Sequence, residues 1–245
     1  MDTVMEMENT VDTDTDAIPS SRERVSVAVI ARNEEATVEN VLRSVLPICG
    51  ETLLIDGHSS DTTPEIAESL GIPVYQDGGR GKGDAIRKAI DMATGDVLVF
   101  IDADGSHDPN DIPALASPIL IGKSDLVIGS RWTGGSDELG GDISKFIRST
   151  GSHMITLAIN YRWGVRLTDS QNGFRAISTK AARRINLIEN NFTIEQEMIM
   201  QCLKNGFRVS EVSSHEYRRQ AGNSQIAVWK VAPRFGWCLI KNLVK

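Results

Sequence analysis

Apolar and polar positions along this chain follow two alternating rhythms. Val25 to Ile30 is a short apolar, β-branched run, the composition of a strand buried on both faces. It breaks at Ala31-Arg32-Asn33-Glu34-Glu35, after which Val38, Val41, Leu42 and Val45 recur at helical spacing. Thr52 to Ile55 predicts a second strand, ending in Asp56-Gly57-His58-Ser59-Ser60-Asp61. Thr62 or Thr63 then caps a helix with Pro64 near its first turn. Val74 and Tyr75 mark a short third strand, and the glycine loop Asp77–Gly83 opens a helix running to about Ala93. Val97 to Ile101 predicts a buried central strand, which stops at Asp102-Ala103-Asp104 before Gly105, Asp108 and Pro109 turn the chain. A helix near Ile112–Leu120 and a strand at Leu126–Gly129 continue the pattern. Such alternation specifies a mostly parallel sheet with helices on both faces, whose ligands sit at the strands' carboxyl ends.

After Ser130-Arg131 the rhythm changes. Gly134–Gly141 reads either as a lid over the site or as a plain surface linker. A long helix from about Ile143 to Asn160 follows, and Thr168–Arg175 leads into a strand. Helices near Lys180–Leu187 and Glu195–Lys204 and a strand near Arg208–Val212 complete the domain, and Tyr217-Arg218-Arg219 opens a polar loop. Ile226 to Val244 predicts a helix, kinked at Pro233, that mixes aromatic and aliphatic residues with Lys230, Arg234 and Lys241. That mixture suits a membrane-surface helix or, equally, a helix docked on the domain. Residues 1–23 are acidic and low in complexity and read as a disordered tail. The chain therefore divides into that tail, a domain over 24–224 with halves at 24–131 and 132–224, and a C-terminal amphipathic helix over 225–245.

The length of 245 residues supplies a full core for one large α/β domain with an appendage. Cys49, Cys202 and Cys238 are odd in number and far apart, which argues for a reducing compartment rather than a disulfide framework. No run approaches the roughly 20 apolar residues of a membrane span, and the acidic start has no signal-peptide pattern; a cytoplasmic protein is expected. The net charge of −7 is unevenly spread. Residues 25–139 hold nineteen acids and eight bases, residues 140–245 seven acids and sixteen bases. An acidic half suits cations, and a basic half suits phosphate or an anionic membrane face. No recognition motif accompanies the basic residues, so nucleic acid is not expected.

The chemistry centres on Asp102 and Asp104. Side chains in a strand alternate, so both carboxylates are expected to point the same way from the strand end. Two such groups repel unless a cation lies between them, and a hard divalent ion that also takes phosphate oxygens fits. With Ala31-Arg32-Asn33-Glu34, Asp56-Gly-His-Ser-Ser-Asp-Thr62, Gly129-Ser-Arg131, Asp169-Ser-Gln-Asn-Gly-Phe174 and Arg218-Arg-Gln-Ala-Gly-Asn-Ser224, the pair makes six pieces in a fixed order. Their order resembles the family-two inverting glycosyltransferases of the GT-A fold, and most of all the dolichyl- or polyprenyl-phosphate hexose (mannose) synthases.

The resemblance implies a Rossmann-like, mostly parallel sheet flanked by helices, with a smaller C-terminal acceptor-side extension. It implies that Ala31, Arg32, Asn33, Glu34 and Asp56 hold the base and ribose of a nucleotide sugar. Asp102 and Asp104 would hold Mg²⁺ or Mn²⁺ on the diphosphate, beside Ala103. Where the synthases carry a glutamine metal ligand, this chain has Ser106, a poorer one, which His107 or Asp108 would have to supplement. Lys82 would contact the diphosphate, or else be a solvated lysine at a helix start. Arg131, Arg148 and Ser152 occupy positions that bind the acceptor phosphate in the synthases, with Arg218 and Arg219 as a further pair. Asp169, Gln171, Glu195 and Glu197 could meet sugar hydroxyls, and Asp169 is the candidate base for a hydroxyl acceptor.

The expected reaction moves mannose or glucose from GDP-mannose or UDP-glucose to a polyprenyl or dolichyl phosphate. Asp102, Asp104, Arg131 and Arg148 would carry it, at the cytoplasmic membrane face and with small membrane partner subunits supplying attachment. A soluble or saccharide hydroxyl acceptor is the sister reading. From other classes come a non-catalytic sugar-nucleotide-binding module and an aspartate-nucleophile phosphatase, although the phosphatase motif normally ends the first strand and three strand candidates precede it here.

Overall fold

A computed structural model describes residues 20–137, 143–219 and 228–244, with side chains for 20–137, 149–219 and 232–244. The tail through residue 19, the loop stretch 138–142, the side chain of Arg148 and the stretch 220–227 lie outside the described residues.

The first half follows the alternating pattern closely. Strand β1 (Val25–Ala31) leads to helix α1 (Val38–Val45), β2 (Glu51–Asp56), α2 (Thr63–Ser69), β3 (Val74–Gln76), α3 (Lys82–Met92) and β4 (Val97–Asp102). A 3₁₀ turn at Pro109–Asp111 precedes α4 (Ile112–Leu120) and β5 (Leu126–Ser130). Val38, Val41, Leu42 and Val45 are the buried face of α1, as their spacing requires. Neither threonine caps α2 as expected: Thr62 stands at its N-cap without a side-chain cap bond, and its hydroxyl donates to Glu35 Oε2 at 2.8 Å instead. The period-two argument for Asp102 and Asp104 also needs correction. The strand ends at Asp102, and the chain is already turning at Ala103-Asp104.

The second half carries α5 (Arg131–Gly134), α6 (Ile143–Trp163), β6 (Arg175–Ser178), α7 (Thr179–Ala182), α8 (Ile194–Lys204), β7 (Val209–Ser213) and α9 (Val228–Val244). The helix expected over Lys180–Leu187 is only the four-residue α7. Ser178 caps it by accepting the N–H of Ala181, and Arg183 onward leaves the helix. Helix α9 spans Pro233 and docks one face on α8. Buried Cys238 and Asn242 mark that face, and Gln196 donates to the Phe235 carbonyl at 2.9 Å.

Among the described residues the strands form one seven-stranded sheet in the order β3-β2-β1-β4-β6-β5-β7. All neighbours are parallel except β6, which runs against both β4 and β5. One core lies on each face, built around Leu98 and Phe100 on one side and Val97, Val99 and Ile101 on the other. This direction change positions the site. Because β6 is antiparallel, its first residues begin where β4 and β5 end, so the loop through Gly173 enters at the carboxyl edge. Parallel β7 ends at that same edge and delivers residues 214–219 there. A mostly parallel sheet flanked by helices is the GT-A arrangement.

Candidate active site

The floor of the site is the line of strand ends. Ala31 pairs with Asp56, and Ile30 with Asp102, so the last residues of β2 and β4 flank that of β1. The turns beyond β1 and β2 are bonded to each other. Asn33, at a φ of 57°, accepts the N–H of Ser60 at 2.7 Å, and its own N–H donates to Ser59 Oγ at 2.9 Å. The N–H of Glu34 donates to Thr63 Oγ1, and the Gly57 N–H to the Ala31 carbonyl. Asp56 is wholly buried and both its oxygens accept the Ser59 N–H at 3.2 Å, so it shapes this turn. Arg32 lies on the exposed rim beside Gly57. Thr37, buried at the entrance of α1, donates to the Ala103 carbonyl at 2.7 Å and ties the turn after β1 to the Asp102–Asp104 turn.

Asp102 belongs to a largely enclosed trio, in which Glu195 is buried while Lys82 and Asp102 keep 13% and 24% of their side chains exposed. Lys82 Nζ reaches it at 2.8 Å and Glu195 Oε1 at 3.2 Å. Burial disfavours the charge on Lys82, yet Asp102 and Glu195 together hold its pKa above the ordinary lysine value. Burial likewise opposes ionisation of Asp102, but Lys82 keeps its carboxyl below the usual range. Glu195 is pushed up by burial despite Lys82, and its Oε2 has no hydrogen-bond partner among the described residues. Gly173 closes over the trio: a Cβ there would stand 2.6 Å from Lys82 Nζ and 3.2 Å from Asp102 Oδ2. Fully buried Arg175 fixes both carriers, donating to the carbonyl of Asn172 at 3.0 Å and that of Glu195 at 2.6 Å.

Asp104 is buried. Its Oδ1 accepts the N–H of Ser106 at 3.0 Å, and Arg219 Nε stands 3.2 Å from its Oδ2. Ser106 is buried, and its carbonyl accepts the Tyr217 N–H at 2.8 Å. His107 stacks on Phe174 with ring centroids 4.9 Å apart, leaves Nδ1 without a partner, and has its pKa lowered by burial. Glu34 also faces this corner, its carboxyl raised first by burial and then by Asp104.

The neighbouring edge, where β5 and β7 end, is built on Arg131. Its Nε and Nη2 grip Asp169 at 2.6 and 3.0 Å, and Nη1 reaches Glu216 at 3.3 Å. Burial works against the Asp169 carboxylate, but Arg131 holds it below the usual range, so it is a weak proton acceptor. Gln171 donates its N–H to Asp169 Oδ1, and buried Ser152 gives its carbonyl to Thr156. The N–H of Arg218 donates to Asp137 at 3.3 Å. Glu197 lies apart from this edge, accepting the N–H groups of Ile188 and Glu189.

Asp102, Asp104, Glu34, Lys82, Glu195, Arg219, Ser106 and His107 are thus gathered at one corner, with Arg131 and Asp169 along the edge where β5 and β7 end. Sequence reasoning did not single out Thr37, Gly173 or Glu216. Gly173 stood inside a quoted motif; Thr37 and Glu216 carried no local signal.

Residues 26–185, about two thirds of the chain, match the glycosyl transferase family 2 domain. The chain belongs to glycosyl transferase family 2. This glycosyltransferase is 31% identical over 193 residues to Glycosyltransferase AglJ of Haloferax volcanii, covering 78% of this chain and 62% of AglJ. It thus spans less than two thirds of that relative. A dolichyl-phosphate hexose transferase of the same organism is 25% identical over 220 residues, covering 89% of this chain and 92% of the relative. Among solved structures, glucosyl-3-phosphoglycerate synthase from Mycobacterium tuberculosis, in complex with Mn²⁺, UDP and glucosyl-3-phosphoglycerate, superposes with a TM-score of 0.71 at 22% identity. That match covers 90% of this chain and 80% of the synthase, and it shows the GT-A fold.

The donor set suits a hard divalent ion. Asp102 and Asp104 supply two carboxylates at one turn, each neutralised here by a basic side chain. Among the described residues no three His, Cys, Asp or Glu side chains converge to hold an ion by themselves, so the remaining ligands would be substrate oxygens, waters or other oxygen donors.

Proposed function

We propose that this glycosyltransferase moves a hexose from a nucleotide sugar to a polyprenyl or dolichyl phosphate, with inversion at the anomeric carbon. The observation that carries the reading is the paired turn of Asp102 and Asp104, answered by Lys82 from within and by Arg219 from the acceptor side. That arrangement suits two anions meeting at one place, a donor diphosphate and an acceptor phosphate. The printed names of relatives support it: the dolichyl-phosphate hexose transferase and a Methanococcus voltae UDP-N-acetylglucosamine–dolichyl-phosphate N-acetylglucosaminyltransferase, 26% identical over 213 residues. GDP-mannose and UDP-glucose are the donors we propose.

Residues of the Asn33–Glu34 turn and the Asp56 turn would form the nucleoside side of the cleft. Asp102 and Asp104 would hold Mg²⁺ or Mn²⁺, ions bound with UDP in the glucosyl-3-phosphoglycerate synthase structures. Such an ion would offset charge developing on the departing diphosphate. Lys82 adds a buried positive charge directly behind Asp102. Arg219 and Arg148 would orient the acceptor, and Arg131, gripped by Asp169 and Glu216, would hold that edge rigid.

A phosphate monoester is already anionic near neutral pH, with a second pKa of about 6. It can attack the anomeric carbon without a general base, leaving orientation and charge neutralisation as the protein's task. A hydroxyl acceptor would need a base. Asp169, the candidate for that role, has both oxygens taken by Arg131, which favours the phosphate acceptor. The test supplies radiolabelled GDP-mannose or UDP-glucose, Mn²⁺ and dolichyl phosphate in detergent. Label is expected in organic-extractable lipid; label confined to water-soluble products would exclude the lipid acceptor.

A further inference from the structure

Lys82 reaches Asp102 from the first turn of α3, and that turn does not stand alone. It leans on Ile188–Thr193, an irregular stretch that leads into α8. The Gly83 N–H donates to the Asn190 carbonyl at 2.9 Å, and Arg87 Nη1 donates to the Glu189 carbonyl at 2.7 Å. The two backbones touch. A Cβ on Gly83 would stand 2.1 Å from the Glu189 carbonyl oxygen, and one on Gly81 would stand 2.6 Å from that of Asn190. The Phe192 ring centroid lies 5.9 Å from Lys82 Nζ, and Glu195, in the first turn of α8, stands 3.2 Å from the same ammonium.

An irregular segment packed against a helix must find acceptors for its own N–H groups, since no ladder supplies them. Glu197 provides for two. It is 1% exposed, and its Oε2 accepts the N–H of Ile188 at 3.0 Å and that of Glu189 at 2.9 Å. Helix positions two apart do not share a face. Helix α8 therefore sends Glu195 to the lysine and Glu197 to the segment that seats it. Thr193 adds a side-chain tie, its hydroxyl donating to Glu189 Oε2 at 2.8 Å. The sequence made Glu197 a candidate for sugar hydroxyls; its Oε2 is turned to the protein backbone instead.

We propose that Glu197 is a positioning residue for Lys82. By holding the main chain at Ile188 and Glu189 it fixes the segment on which the first turn of α3 rests, and so keeps the ammonium beside Asp102. The consequence for transfer rests on the proposed role of Lys82 near the donor diphosphate; the seating does not, and is read without substrate.

The readout is acetylation of each lysine in the full chain by a limiting pulse of acetic anhydride, followed by peptide mass spectrometry. In the wild type Lys82 should react about tenfold more slowly than exposed Lys123, because an enclosed amine is modified through local opening. Glu197→Asp keeps the charge but draws the carboxylate back by one methylene. Lys82 should then react about fivefold faster, with Lys123 unchanged. Glu197→Gln keeps an oxygen at full reach and should restore the wild-type rate. Gly83→Ala forces the two backbones apart from the other side and should release Lys82 at least as far as Glu197→Asp does. Leu42→Ala loosens the core on the opposite face of the sheet; it should lower the melting temperature and leave Lys82 as slow as in the wild type.

Unchanged Lys82 reactivity in Glu197→Asp or in Gly83→Ala would overturn the assignment. So would a Glu197→Gln variant as reactive as Glu197→Asp, or equal acceleration in Leu42→Ala, which would reduce the effect to general loosening. Transfer from labelled nucleotide sugar, measured in parallel, should fall about tenfold in Glu197→Asp and return in Glu197→Gln. Faster acetylation with full transfer would uphold the seat and overturn only the role of Lys82 at the diphosphate.

Discussion

Asp102 and Asp104 are two residues apart, yet the cations that face them come from regions of opposite character. Behind Asp102, Lys82 is enclosed by Glu195, by Gly173 and by the Phe192 ring, whose centroid lies 5.9 Å from Nζ. In front of Asp104, Arg219 stands on the loop after β7 with about a third of its side chain exposed. Lys82, with 13% of its side chain exposed, keeps its place because moving it would strand charge in low dielectric; Arg219 is the more exposed cation and can return to water, leaving buried Asp104 to another cation. The inner cation is therefore a fixed part of the site. The outer one is free to leave Asp104 when a stronger cation arrives there, and then to meet an incoming anion.

The firmness of the scaffold at the outer edge gives the largest expected effect. Arg131 is nearly enclosed, and Asp169→Asn would leave its guanidinium with Glu216 as its one remaining carboxylate. A loss of about 3 kcal/mol in unfolding free energy is expected, as for breaking a buried pair. A urea titration showing a loss below about 1 kcal/mol would mean that this edge behaves like a surface ion pair. Gly173→Ala tests the inner region. The added methyl displaces Lys82 from Asp102, so transfer should fall about 100-fold, as small misplacements at a reacting centre do. The melting temperature should fall too, because moving Lys82 leaves Asp102 and Glu195 without their cation in a largely enclosed place. Transfer near the wild-type rate would show that the ammonium is not needed where it stands.

Arg219→Ala should separate two quantities that fall together in the other variants. Removing the guanidinium leaves Asp104 with one competing cation fewer. Mn²⁺ binding without nucleotide, followed by calorimetry, should tighten about fivefold, the scale of an exposed ion pair. On the proposed reading, in which Arg219 would contact a lipid phosphate, transfer should slow about tenfold. Unchanged Mn²⁺ affinity would remove the basis for treating Arg219 as exchangeable.

The same contrast decides what was legible in the sequence. The strands of the first half, the α1 face and the turn after β4 follow from local periodicity, because parallel strands with short connections write their ends as abrupt changes from apolar to polar. Lys82 was visible only as a lysine in a glycine loop, equally a solvated one. Its burial depends on Glu195, more than a hundred residues away, and on an antiparallel β6 that no local pattern announces. Glu216 was missed for the same reason, since its partners Arg131 and Ser136 follow the neighbouring strand β5, 85 and 80 residues earlier in the chain. The short α7 was overextended because an apolar spacing over Lys180–Leu187 resembles a helix. In fact Ile185 and Leu187 enter the core from an irregular segment.

The smallest effect concerns how α3 presents Lys82. The first turn of α3 is held by Asp84, which Arg80 reaches at 2.6 Å and Arg87 at 3.2 Å; Arg87 also donates to the Glu189 carbonyl at 2.7 Å. The Arg80 contact, with burial opposing and Arg87 assisting, lowers Asp84 from 3.8 to about 2. A carboxylate whose folded pKa is depressed contributes stability that is fully present above its unfolded value and is lost as the pH falls through the folded one. The contribution should therefore be intact at neutral pH and disappear between about pH 4 and pH 2. Arg80 is mostly exposed, so Arg80→Ala should lower stability only slightly at neutral pH, and wild type and variant should converge at the acid end of that window. Transfer should hardly change, because Arg87 still anchors Asp84 and the Gly83 N–H still donates to the Asn190 carbonyl at 2.9 Å. A large loss of transfer in Arg80→Ala would mean that the seat of Lys82 depends on the solvent-facing arginine, and the inner region would then be no more fixed than the outer one.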